Sequence, residues 1–191
     1  KNRVIFLVFF SILFSSCTSF KNNIYKNEKP LVLTTFTVLA DMARNIAGDR
    51  LLVKSITKVG AEIHGYQPTP SDLVTASRAD LVVENGLGLE LWARKFTQAA
   101  GDVPTIVLSK GMKPLLIEGD VYAGKPNPHA WMSPKRAMYY IDNLVVGFIE
   151  LDPSGKKLFL ENARIYKSKL MELDKELRNT LSKIPNHRKV L

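Results

Sequence analysis

Four short apolar runs alternate along this chain with segments of helical periodicity, and that alternation limits the fold more than any other feature. The runs are Leu31–Thr34, Leu51–Thr57, Asp80–Glu84 and Thr105–Leu108. Between the first two, Val38-Leu39, Met42-Ala43 and Ile46-Ala47 fall three to four positions apart, and Gly48 follows as a stop. Thr69, Pro70 and Asp72 supply an N-cap, a first helical residue and the far member of a capping box, which starts a helix at Pro70. A third helix is expected from about Glu90 to Ala100. Strands separated by helices with short connections specify an α/β fold with a parallel, doubly wound sheet, since parallel neighbours need a crossover between them.

Beyond Lys110–Pro128, which is broken by glycines and prolines, Ser133-Pro134 reads as the cap of a helix reaching about Leu151. Asp152-Pro153 then opens the last helix. Its apolar residues Phe159, Ala163, Tyr166, Leu170, Leu173, Leu177, Leu181 and Ile184 form one stripe. A helix over 153–184 would run about 48 Å at ~1.5 Å per residue, longer than the ~30 Å width of a small domain. It is expected to brace the lobe or project beyond it. Residues 185–191, after Pro185, read as the start of another lobe that is truncated here.

The first sixteen residues stand apart from this pattern. Lys1-Asn-Arg3 is a positive start and Val4–Phe14 an apolar run of signal-peptide length, too short to span a bilayer. Ser15-Ser16-Cys17 follows, with the only cysteine of the chain. The pattern resembles a bacterial lipobox, with Phe14 where leucine is usual, and makes Cys17 the candidate for lipidation. A lone cysteine at a cleavage junction neither pairs nor packs. Residues 1–16 are thus expected to be a signal peptide and 17–30 a lipidated, flexible tether. The formal charge of +9 becomes +7 without Lys1 and Arg3 (9 − 2), and it is spread without a basic block. No nucleic-acid partner is expected from such a distribution. A basic surface suits an anionic membrane.

Three histidines are present. His64 lies in Gly60-Ala-Glu-Ile-His64-Gly-Tyr-Gln-Pro-Thr-Pro-Ser-Asp72, between a strand end and a capped helix. His129 lies in Asn127-Pro-His129-Ala-Trp-Met-Ser133-Pro134, a loop of the same build. Ligand sites of open α/β sheets gather at that edge. Two neutral imidazoles there suit a first-row divalent metal. The adjacent helix starts are expected to favour the neutral form. Glu62 and Trp131 are candidates for supporting roles around the two rings. Asp72 is assigned to the helix cap, and Asp80 and Glu84 to strand ends. His187, in a polar turn, is read as solvated surface.

These motifs, with Thr34-Thr-Phe-Thr-Val-Leu-Ala-Asp-Met42 and Asn85-Gly-Leu-Gly-Leu-Glu90, resemble the zinc- and manganese-binding solute-binding proteins of ABC transporters (TroA-like) over nearly all of residues 31–191. The resemblance implies two α/β lobes joined by one long helix, with the metal between them. Residues 31–152 would be the N-terminal metal-binding lobe and 153–184 the inter-lobe helix. It also implies that His64 and His129 are the two ligands of the first lobe. The remaining ligands would come from a second lobe missing from this chain, either a Glu and Asp pair or a third histidine. The implied function is extracytoplasmic capture of Mn²⁺ or Zn²⁺ and delivery to an ABC permease, by a lipid-anchored monomer that catalyses nothing. It would sit on the outer face of the bacterial plasma membrane or in the periplasm. Manganese is placed ahead of zinc because Leu115–Pro126 lacks the histidines of many zinc importers and the wording around His64 is closer to manganese-type members. The truncated chain, with its helix stripe and cleft uncovered, is expected to be poorly soluble.

Two other classes fit less well. A metallohydrolase would need a third ligand and a general base, and no His-Glu-x-x-His cluster is present. A metal-dependent surface adhesin would share the anchor but has no use for two matched histidine loops.

Overall fold

The computed structural model describes residues 29–119 and 121–188. The expected signal peptide, Cys17, nearly all of the tether and the last three residues lie outside them. Four strands, β1 (Leu31–Thr34), β2 (Leu52–Ser55), β3 (Leu81–Glu84) and β4 (Thr105–Val107), form one sheet in the order β2-β1-β3-β4. All pairings are parallel, with Val32 opposite both Val53 and Leu81. The strand order reverses at β1, which places a topological switch point between β1 and β3.

Alternation within the strands sends side chains to two layers. Val32, Val53, Leu81 and Val83 face α1 (Thr37–Ala47) and α4 (Pro134–Leu151), where Leu39, Ile46, Tyr140, Leu144 and Phe148 are fully buried. Leu33 and Val82 face the smaller layer under α2 (Pro70–Ala76) and α3 (Ala93–Ala99), with Ala76 and Phe96. A methyl group on Gly147 of α4 would come 2.7 Å from Ile106 Cδ1, so that helix lies directly on β4.

Two helix boundaries and one cap differ from what the sequence suggests. The third helix starts at Ala93 rather than about Glu90, because the Glu90 carboxylate is used inside the preceding turn. Ser133 makes no side-chain cap, and only its carbonyl accepts from Arg136 N and Ala137 N. The last helix, α5, is Lys156–Ser182, preceded by a 3₁₀ turn over Pro153–Gly155. Asp152 does not cap that turn with its side chain; it binds Arg50 Nε (2.5 Å) and Nη2 (2.9 Å) and Ser154 Oγ instead. The Arg50 hydrogen bonds hold the Asp152 carboxyl below its usual range. Over 27 residues α5 spans about 40 Å at ~1.5 Å per residue.

The stripe on α5 divides in two. Phe159 and Ala163 are buried and Tyr166 and Leu170 pack against the same core, whereas Leu173, Leu177, Leu181 and Ile184 are exposed. The helix therefore outruns the lobe that holds its first half. Among the described residues no helix is long and apolar enough to cross a membrane.

Candidate metal centre

The site is built at the carboxyl edge of the sheet, where the loops after β2 and β4 meet. His64 Nε2 and His129 Nε2 lie 3.2 Å apart, with ring centroids 5.2 Å apart and the rings edge to face. Two nitrogens on one metal at bonds of ~2.1 Å would be about 3.0 Å apart at a right angle and about 3.4 Å at the tetrahedral angle. The observed spacing thus suits a shared metal ion and does not choose between geometries. Among the described residues no group of three His, Cys, Asp or Glu side chains converges to hold a metal.

Each histidine is reached by a similar local device. Asn127 Oδ1 accepts from His129 N at 3.0 Å, and Glu62 Oε1 accepts from His64 N at 2.8 Å. Both acceptors sit two residues before their histidine, the spacing at which a short polar side chain closes a turn on the backbone. Glu62 therefore touches the backbone of His64 and is not hydrogen-bonded to the ring. Asn127 Oδ1 also lies 3.0 Å from His129 Nδ1. With the proton on Nδ1 donated to that oxygen, the Nε2 lone pair faces His64, as a metal ligand requires. Burial, and then the facing His64, push the His129 pKa below the ordinary imidazole value. Trp131 packs between Phe36 and His129, with centroids 4.9 Å and 5.3 Å away. An open pocket beside His129 is lined by Leu115, Asn127, Met132, Ser133 and Arg136.

The His64 loop runs into α2 through the expected capping box, with Thr69 Oγ1 accepting from Asp72 N and Asp72 Oδ2 from Thr69 N. Tyr66 also donates to Asp72 Oδ2 at 2.9 Å, and burial and this contact raise its pKa to about 12. His187 is exposed on the 3₁₀ turn Asn186–Arg188 after α5.

A buried polar group underlies both loops, and it carries residues to which no individual role was assigned from sequence. Glu90, 7% exposed, accepts from Thr35 Oγ1 (2.8 Å), Asn85 N (2.7 Å) and Gly86 N (3.1 Å). Burial outweighs these bonds and leaves its pKa raised. Asn85, fully buried, donates through Nδ2 to Gly86 O (2.8 Å) and Pro128 O (3.0 Å) and accepts from Tyr140 OH (2.5 Å). Trp92 Nε1 donates to Ile63 O at 3.1 Å. Asn85 and Glu90 stood inside a recognised motif, yet nothing in their spacing shows what they bind. Asn127 was findable, since an Asn two residues before a histidine is a turn signal.

A family model described as zinc-uptake complex component A, periplasmic, matches residues 32–191. The chain is 47% identical over 180 residues to the iron-binding protein YfeA of Yersinia pestis, covering 94% of this chain and 58% of that protein. It is 33% identical over 199 residues to the manganese ABC transporter substrate-binding lipoprotein PsaA of Streptococcus anginosus, covering 100% and 64%. The Mn-bound periplasmic metal-binding protein from Candidatus Liberibacter asiaticus superposes with a TM-score of 0.74 at 35% identity, covering 82% of this chain and 59% of that one. The chain therefore spans about three-fifths of the length of these relatives.

Proposed function

The chain belongs to the zinc-uptake complex component A family of solute-binding proteins, which are not enzymes, and from that premise we propose that it is the metal-capturing part of an ABC import system. In this reading His64 and His129 are two of the ligands, and further ligands come from protein beyond these residues, in a second lobe joined through α5. The observation that carries the reading is the 3.2 Å approach of two Nε2 atoms on separate, individually braced loops. Without a cation the two rings share at most one N–H···N hydrogen bond, which uses a single lone pair. Around a divalent metal both lone pairs are used.

The cargo proposed is Mn²⁺. Manganese lies at the weak end of the divalent affinity series, so a site that takes it relies on oxygen ligands added to few nitrogens. Two histidines here, and a Leu115–Pro126 stretch without a third, agree with that. Ferrous iron is the second reading, favoured by 47% identity to a protein named for iron binding. Lipid attachment at Cys17, an extracytoplasmic location and an ABC permease as the recipient complete the proposal. They are supported by relatives named as lipoproteins of ABC transporters. Calorimetric titration of the full-length protein with Mn²⁺, Zn²⁺ and, without oxygen, Fe²⁺ tests the cargo. Tight one-to-one binding that His64→Ala abolishes is expected, and absence of tight binding for all three metals would end the reading. Palmitate-analogue labelling of wild type against Cys17→Ala tests the anchor, and equal labelling would remove it.

A further inference from the structure

We propose that the turn from Asn85 to Trp92, which contributes no metal ligand, sets the separation of His64 and His129. The inference rests on the metal-receptor reading above and adds positioning residues to it. Two hydrogen bonds carry it. Asn85 Nδ2 holds Pro128 O, and Trp92 Nε1 holds Ile63 O. Each of those carbonyls belongs to the residue immediately before a histidine. The peptide unit entering each histidine is therefore pinned at both ends. Its oxygen is held by the 85–92 turn and its nitrogen by the local acceptor two residues back, Glu62 for one and Asn127 for the other. Once a peptide plane is fixed, the Cα–Cβ direction of the next residue has one soft backbone dihedral left. At Pro128 the ring also locks φ.

The turn is stiff enough to act as a spacer. Its own backbone is bound to the Glu90 carboxylate through Asn85 N and Gly86 N, and Thr35 Oγ1 ties that carboxylate to the end of β1. Gly86, Leu87 and Gly88 all have positive φ, at 82°, 56° and 79°. A Cβ on Gly86 would lie 2.4 Å from Val107 Cγ1, so the turn rests flat against β4. Leu87 in this conformation costs on the order of 1 kcal/mol, which persists only where the surroundings over-determine it. The far end is anchored by the ring stack of Tyr66, Trp92 and Phe96, with centroid spacings of 5.2 Å and 5.7 Å. Two loops that leave different strands are thus referenced to one rigid segment between them. Their mutual distance follows from it and not from contacts between the loops.

The test uses the full-length protein with Co²⁺ and Mn²⁺ as probes. Trp92→Phe removes the indole donor and keeps an aromatic ring in the stack. Asn85→Ala with Tyr140→Phe removes the second tether without stranding the tyrosine hydroxyl. Each is expected to weaken binding about tenfold, the lower end of the range for losing a group that orients a ligand. Each is also expected to shift the visible absorption bands of the Co²⁺-saturated protein, because those bands report ligand geometry. A purely structural role would lower the melting temperature and leave the saturated spectrum unchanged. Wild-type affinities, or unchanged saturated spectra in Trp92→Phe, would overturn the inference, whether or not the double variant folds. Failure of the metal-receptor reading itself looks different, since wild type would then bind neither probe.

Discussion

The two histidine loops share a plan and differ in how much of the side chain they control. At His129 the backbone N–H and the ring Nδ1 both meet Asn127 Oδ1, and the ring packs on Trp131, itself stacked on Phe36. At His64 the backbone N–H is held by Glu62, while the imidazole meets His129 itself. The His129 imidazole is oriented to the tip of its side chain, and His64 is oriented at its backbone. In the proposed metal receptor, half of the pair is thus preset before metal arrives. The other half keeps rotamer freedom that binding must remove, at a cost of order 1 kcal/mol.

Deleting either imidazole tests the largest effect. His64→Ala and His129→Ala should each weaken Mn²⁺ binding by more than about 100-fold, beyond the range for an outer-sphere loss. Titration calorimetry reads this, and a variant within tenfold of wild type would show that its histidine is not a ligand. Next comes the support common to both loops. Glu90→Ala leaves Asn85 N, Gly86 N and the Thr35 hydroxyl without their buried acceptor. It should cost about 3 kcal/mol, seen as a melting temperature lower by roughly 10 °C. An unchanged melting curve would mean that the turn holds itself.

Asn127→Ala separates the loops. It frees the His129 ring and does nothing to His64, so about a tenfold loss of affinity is expected. Glu62→Ala should cost less, because it releases backbone only. Equal losses would abolish the asymmetry.

The smallest effect lies in the strand beneath. Burial, and then the neighbouring Glu90, push the Glu84 pKa from 4.5 up to about 7. Between those values the folded state binds more protons than the unfolded one, so stability falls as pH rises from about 4.5 to 7 and then levels. Glu84 keeps part of its solvent contact, and after that discount the change is about 1 kcal/mol. Glu84→Gln should flatten this segment of the melting-temperature profile between pH 5 and 8. A wild-type slope retained in the variant would assign the titration elsewhere.

Much of this was legible in the residues. The β-branched runs, the 3.6-residue spacing and the Thr69–Asp72 box are local signals, and the strands and helices lie where they point. Helix starts were less legible where side chains had longer-range business. Glu90 bonds backward into its own turn, and Asp152 reaches Arg50. Asp80 shows the same limit: its carboxylate accepts from Leu31 N at 2.7 Å, a contact 49 residues away in sequence.

Residue order alone was enough for the layered α/β class, the loop on which each histidine sits and Glu62 as a candidate neighbour, because periodicity and turn chemistry act within a few residues. Tertiary structure alone decided that the two imidazoles face each other at 3.2 Å and that one buried carboxylate, one amide and one indole sit behind them. Those contacts join residues dozens of positions apart, and no local pattern encodes a distance that only the packed sheet edge sets.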